Sequence, residues 1–174
     1  GAALPVVWNT SGYESLRTLE LLDGVVDIYL SDIRSASDEA AARFSDTPDY
    51  VGVSKRALAE MHRQVGDLRT GEDGTASSGL IVRHLVLPNG HAGTREAMAF
   101  VAGELGPGTY VSLMAQYYPA FRAAEYPELS RRITAGEWAE ARRALEEAGI
   151  TNGWVQGMPD DLYPVAGTEI EADD

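Results

Sequence analysis

The sequence predicts an α/β fold with parallel strands, on three observations. Four short apolar runs, rich in β-branched and aliphatic residues, each leave through a polar turn cluster. Between them lie segments whose apolar residues recur at helical spacing. The two patterns alternate strictly, and that order calls for parallel strands joined by right-handed crossovers. Four such β-α units make half of a closed eight-stranded barrel, or an open doubly wound sheet. A four-stranded parallel sheet alone leaves both edges unpaired, so the pattern hints at a missing part.

Leu4-Pro5-Val6-Val7-Trp8 reads as the first strand, ending in the turn cluster Asn9-Thr10-Ser11-Gly12. Glu14 to Leu22 places Leu16, Leu19 and Leu22 at helical spacing, and Asp23-Gly24 closes that helix with a glycine free to turn left-handed. Val25 to Leu30 is the second strand, running into Ser31-Asp32. Ser37-Asp38-Glu39 opens a short helix to Phe44, its acidic first turn suited to the helix dipole. After a Pro48 loop, a longer helix over 53–65 buries Leu58, Met61 and Val65. Gly71-Glu72-Asp73-Gly74 turns a small hairpin between 68–70 and 75–77. The strongest strand signal follows, Leu80 to Leu87, ended by Pro88-Asn89-Gly90. A helix over 94–105 takes Thr94 as its cap and turns Met98 and Val101 inward. Tyr110 to Met114 is the fourth strand, leaving through Gln116-Tyr117-Tyr118-Pro119. Thr134-Ala135-Gly136-Glu137 reads as a capping box for a helix to Ala148, stopped by Gly149.

The organisation is therefore one domain over 1–150 and an acidic, Gly- and Pro-containing tail over 151–174, loosely attached. With 174 residues and 44% hydrophobic content, the chain has ample material for a core. Its net charge of −13 repels phosphate backbones and anionic lipid, so neither nucleic acid nor a membrane surface is an expected partner. No apolar run approaches the ~20 residues that span a bilayer, and the first residues lack the positive start of a signal peptide, so the expected compartment is the cytoplasm. The absence of cysteine is the most informative feature of the composition. It excludes a disulfide framework, a thiolate zinc site, a cysteine nucleophile and a self-supplied iron–sulfur cluster.

Ligands of parallel β/α folds bind at the carboxyl ends of the strands. Those ends carry Asn9, Thr10 and Ser11, then Asp32 and Arg34, then Arg83, His84 and Asn89, then Gln116 and Tyr117. Asp32 and Arg34 are two apart and share one side of an extended chain. They form either an ordinary ion pair or a clasp for an amino acid, with its carboxylate on Arg34 and its ammonium on Asp32. Arg83 lies within an apolar strand, where an unpaired guanidinium is costly, so it either pairs structurally, with Asp32 on the neighbouring strand a candidate, or binds a ligand. His84 faces the opposite way, toward the helices, as a packing histidine. Trp8 and Trp138 read as core or helix-packing residues. No two histidines have metal-ligand spacing, and no phosphate loop, nucleophile elbow or dinucleotide fingerprint is present, so no catalytic residue and no metal ligand is assigned.

Several long stretches, in order, resemble one family: 4–13 (Leu-Pro-Val-Val-Trp-Asn-Thr-Ser-Gly-Tyr), 25–32 (Val-Val-Asp-Ile-Tyr-Leu-Ser-Asp), 61–67 (Met-His-Arg-Gln-Val-Gly-Asp), 79–88 (Gly-Leu-Ile-Val-Arg-His-Leu-Val-Leu-Pro), 110–117 (Tyr-Val-Ser-Leu-Met-Ala-Gln-Tyr) and 126–132 (Tyr-Pro-Glu-Leu-Ser-Arg-Arg). They are similar to radical S-adenosylmethionine proteins related to the activating enzyme of pyruvate formate-lyase, in its activase-like branch. The resemblance extends to about Gly149.

It implies a partial TIM-type (β/α) barrel that holds a [4Fe–4S] cluster and S-adenosylmethionine, an oxidoreductase that generates a 5′-deoxyadenosyl radical. The cluster-binding Cys-x-x-x-Cys-x-x-Cys follows the first strand of such proteins, and this chain corresponds to the portion from the third strand onward. The resemblance thus implies the C-terminal part of such an enzyme, inactive alone, with the missing N-terminal barrel portion as its partner. The alternative is an inactive half-barrel that serves as a binding or assembly module, self-associating through its open sheet edge. Cofactor-binding positions carry over to Asn9, Thr10, Asp32, Arg34, Arg83 and Tyr117. Arg34 stands where the activating enzymes carry lysine, Tyr117 where they carry histidine, and Ser31 where the branch has proline.

Overall fold

A computed structural model describes residues 4–157. Five strands form one parallel sheet in the order β1 (Val7–Thr10), β2 (Ile28–Asp32), β4 (Ala76–Leu85), β5 (Tyr110–Met114) and β6 (Gly153–Val155). The short β3 (Arg69–Thr70) pairs antiparallel with β4 and makes the expected hairpin, closed by Gly71 N–H on the Thr75 carbonyl at 2.9 Å. The helices are α1 (Leu16–Leu22), α2 (Asp38–Ser45), α3 (Tyr50–Val65), α4 (Thr94–Phe100, prolonged by a π-turn over Val101–Leu105) and α5 (Ala135–Glu147).

Burial alternates along β2 and β4, whereas the middle of β5, Val111 to Leu113, is buried on both faces. In β4, Leu80, Val82 and His84 are buried while Ile81, Arg83 and Leu85 are half-exposed. In β2, Tyr29 and Ser31 are buried while Leu30 and Asp32 are not. The buried set joins one core with Leu19 of α1, Leu58 and Met61 of α3, Met98 of α4 and Trp138 and Leu145 of α5. The helices that build the core therefore all pack on one face. That decides between the two architectures the sequence left open: a doubly wound sheet has helices on both faces, a barrel wall on one. Among the described residues the sheet is not closed, because β1 and β6 each have one neighbour.

The sequence signals place the caps well. Ser15 and Ser37 each accept from the backbone N–H three residues on, and Thr134 with Glu137 completes a capping box. Thr94 does not cap α4: Gly93 holds that position, and the Thr94 hydroxyl turns instead to His84. The first two strands start three residues later than their apolar runs, because their carboxyl ends pair through Asn9, Thr10, Ser31 and Asp32. Trp8 is not a core residue; it sits on the edge strand, 36% exposed, whereas Trp138 is buried. β6 is a fifth parallel strand inside the stretch read as tail, and residues 158–174 of that tail lie outside the described residues.

Candidate functional site

The strand register sets out the site. Asp32 lies opposite Arg83, Arg83 opposite Ser112, and Ser112 opposite Trp154. Paired residues of neighbouring strands share a face, so these four form one row across the face opposite the core helices, near the carboxyl end of the sheet, with Ser112 buried within it. The row toward the amino ends is Asn9, Leu30, Ile81 and Tyr110, apolar except at its edge.

Arg83 has the partner its burial demands. Its Nε donates to Oδ1 of Asp32 at 2.8 Å, Nη2 stands in ion-pair contact with the same oxygen at 2.7 Å, and Nη2 donates to Asn9 Oδ1 at 3.1 Å. Arg34 Nε donates to the other oxygen, Oδ2, at 3.4 Å. The extended chain continues beyond β2, with Ile33 N–H on the Arg83 carbonyl at 2.8 Å, which is why Arg34 stays on the side of Asp32. Both carboxylate oxygens are thus engaged by guanidinium groups. Two cations on one anion leave a local excess of positive charge in a chain of net −13. Asp32 here positions two arginines, so an amino-acid clasp with ammonium on Asp32 would have to displace one of them.

The remaining predicted residues lie apart from that cluster. Thr10 pairs opposite Ser31 on the helix side, donates to Glu14 and accepts from Gly12 N–H at 3.3 Å, fastening its own turn. Tyr117 packs partly against the core and donates to the Leu129 carbonyl at 2.8 Å, with burial raising its pKa. The structure therefore brings together Asn9, Asp32, Arg34 and Arg83, and leaves Thr10 and Tyr117 outside.

Two residues beneath the site were not legible in the sequence. Tyr50, at the start of α3, donates to the Ser11 carbonyl at 2.9 Å and accepts from Arg34 N–H at 2.9 Å, tying together the loops that leave β1 and β2. Burial raises its pKa, which keeps the donor proton in place. Gly12 adopts φ +76°, and a Cβ there would lie 2.4 Å from the Asp32 carbonyl oxygen. Only glycine lets the first loop approach the second so closely. His84 behaves as a packing residue. Its Nδ1 donates to the Ile33 carbonyl at 2.8 Å, and its Nε2 accepts from the Thr94 hydroxyl at 3.0 Å. Burial lowers its pKa to about 4, so it stays neutral.

The donor set does not fit an iron–sulfur cluster: the sequence has no cysteine, and among the described residues no group of histidine and carboxylates is arranged to hold a metal ion. Among them, too, no helix is long and apolar enough to cross a membrane.

No family model matches the chain. Over 147 residues, 83% of its length, it is 35% identical to the uncharacterized protein MJ0674 of Methanocaldococcus jannaschii. It spans 38% of the length of that relative. Among solved structures it is similar to a domain of pyruvate-formate lyase-activating enzyme from Bacteroides vulgatus, with a TM-score of 0.60 over 88% of this chain and 82% of that one. The two share a fold. At 12% identity the likeness extends no further than the open parallel sheet and its helices.

Proposed function

We propose that this chain is the C-terminal, cosubstrate-binding portion of a radical S-adenosylmethionine protein related to the glycyl-radical-enzyme activating enzymes. The observation that carries the reading is the Asn9–Asp32–Arg83–Arg34 cluster, set at the carboxyl ends of an open parallel sheet whose fold is that of an activating-enzyme domain. Family sites of this kind use a [4Fe–4S] cluster to cleave S-adenosylmethionine to a 5′-deoxyadenosyl radical. This chain has no cysteine for the cluster, so its own contribution is binding: Arg34 and Arg83 hold the cosubstrate carboxylate, Asp32 fixes both guanidiniums, and Asn9 steadies Arg83. The cluster would come from a cysteine-bearing portion paired along β1, as the greater length of the Methanocaldococcus relative suggests.

A second reading rests on the β1 edge itself. Val6, Val7 and Trp8 are 47%, 52% and 36% exposed, an apolar edge suited to pairing with a second copy. In that reading the short form is an assembly module.

The complete coding sequence separates the two. The first reading expects Cys-x-x-x-Cys-x-x-Cys in frame upstream of Gly1 and a native product well above 18.7 kDa. A native product of 18.7 kDa that forms a defined dimer through β1 would overturn it in favour of the second.

A further inference from the structure

We infer that the cleft between α4 and α5, on the helix face of the sheet, is a second small-molecule site, that it takes a zwitterionic aliphatic amino acid, and that it regulates the strand-end site. The regulatory half rests on the reading of the strand-end site given above. The binding half does not.

The cleft has a volume of about 340 Å³, at the small end of the range for ligand sites. Its floor is Val86, Ala141 and Ala144, buried aliphatic side chains with no polar atom. Its walls carry Glu96 from the first turn of α4 and Glu140 and Arg143 from α5. Among the described residues none of these three forms an ion pair, whereas Arg95 is taken by Glu147 and Glu137 by Arg131. Unused charges of both signs above an apolar floor match a ligand with an ammonium, a carboxylate and an aliphatic body.

The cleft is preformed and built for binding. Glu137 in its wall accepts from Asn89 N–H at 2.6 Å and from the two terminal nitrogens of Arg131 at 2.8 and 2.9 Å, which fixes the loop after β4 against α5. Those hydrogen bonds from Arg131 hold its carboxyl well below the usual carboxylate range, so it is no proton acceptor. The hydroxyl at the lip, Thr94, is spent on His84. The cleft therefore holds a ligand and does no chemistry.

Its lip is fastened to the loop that carries Arg34. Thr94 donates to His84 Nε2 at 3.0 Å, and His84 Nδ1 donates to the Ile33 carbonyl at 2.8 Å. Beyond Arg34, Ala36 N–H donates to the Ala92 carbonyl at 3.0 Å. Gly93, at φ +65°, lies so near that a Cβ on it would stand 2.8 Å from the Ala36 Cβ. Residues 92–94 and 33–36 thus pack as one unit around a fully buried histidine. A ligand that stills the first turn of α4 stills the Arg34 loop with it.

The test titrates the 174-residue chain by calorimetry with three probes: L-leucine, 4-methylpentanoate without the amine, and isopentylamine without the carboxylate. L-leucine should bind about tenfold tighter than either fragment. Arg143→Met should bring L-leucine to the level of isopentylamine and leave isopentylamine itself unchanged. The double variant Glu96→Gln with Glu140→Gln should bring it to the level of 4-methylpentanoate. All three side chains are exposed, and an unchanged circular dichroism spectrum shows that the variants are folded. At saturating L-leucine the amides of Ile33, Arg34 and Ala36 should exchange at least about twofold more slowly, read by nuclear magnetic resonance. If L-leucine binds no tighter than its fragments, or Arg143→Met leaves its affinity unchanged, the amino-acid site is overturned. If it binds as expected and those amides exchange at the same rate, the regulatory half is overturned. Neither outcome bears on the strand-end reading, because the test contains no cluster and no S-adenosylmethionine.

Discussion

His84 and Gly12 show how single residues carry the strand-end architecture without touching a ligand. His84 bridges the Ile33 carbonyl and Thr94, beneath the turn to Arg34, and its pKa is lowered from 6.5 to about 4 by burial. The unfolded chain takes up the proton below about pH 6.5 and the folded chain does not until pH 4, so stability is full above that window and falls as pH drops through it. The loss is about 3 kcal/mol across the window, read from urea unfolding at a series of pH values. His84→Gln flattens the slope between pH 6.5 and 5. Gly12→Ala meets both a left-handed backbone and the Asp32 carbonyl, and should cost at least about 2 kcal/mol in the same unfolding measurement. At this scale the sequence was readable where a residue broke its own pattern. Arg83 stood out as a cation in an apolar strand, and Asp32 on the next strand was its natural partner. Tyr50 carried no such mark, because an aromatic residue at a helix start has many uses and only the tertiary structure selects one.

Among the elements, β1, β2 and β4 are tied together at their carboxyl ends by the Asn9–Arg83–Asp32 contacts on one face, while Ile33 and Val86 join the core on the other. A double-mutant cycle should find about 1–2 kcal/mol of coupling between Asp32 and Arg83, whose side chains are 16% and 28% exposed. The Asp32–Arg34 cycle should give less than about 1 kcal/mol, because Arg34 is mostly in water. Element identity was legible wherever a full period fitted, as in the α5 capping box and the β5 strand. Boundaries drifted in β1 and β2 because hydrophobicity reports burial, whereas a strand is set by the register with its neighbours. β6 escaped because Gly153-Trp154-Val155 is too short to show alternation, and its pairing depends on β5 and on the Gln156 side chain.

Over the described residues the molecule is an open barrel wall: core helices on one face, the Asp32–Arg83–Ser112–Trp154 row on the other, and an apolar edge at β1. Alternation of strands and helices predicted parallel pairing, but it did not say on which face the helices lie; that follows from the crossovers and had to be seen. If the cysteine-bearing portion pairs along β1, the outward amides of Val7–Thr10 exchange rapidly in the 174-residue chain and are protected in the longer product, by hydrogen-exchange mass spectrometry. The most direct measurement of the central claim is the KM for S-adenosylmethionine in 5′-deoxyadenosine formation, in the complete gene product and in its Arg83→Met variant, with iron content measured in both. The account predicts that KM rises about tenfold or more, since a charge-assisted hydrogen bond is lost, while the iron content does not change. An unchanged KM at equal iron content would contradict it, because the polar row would then have no part in holding the cosubstrate.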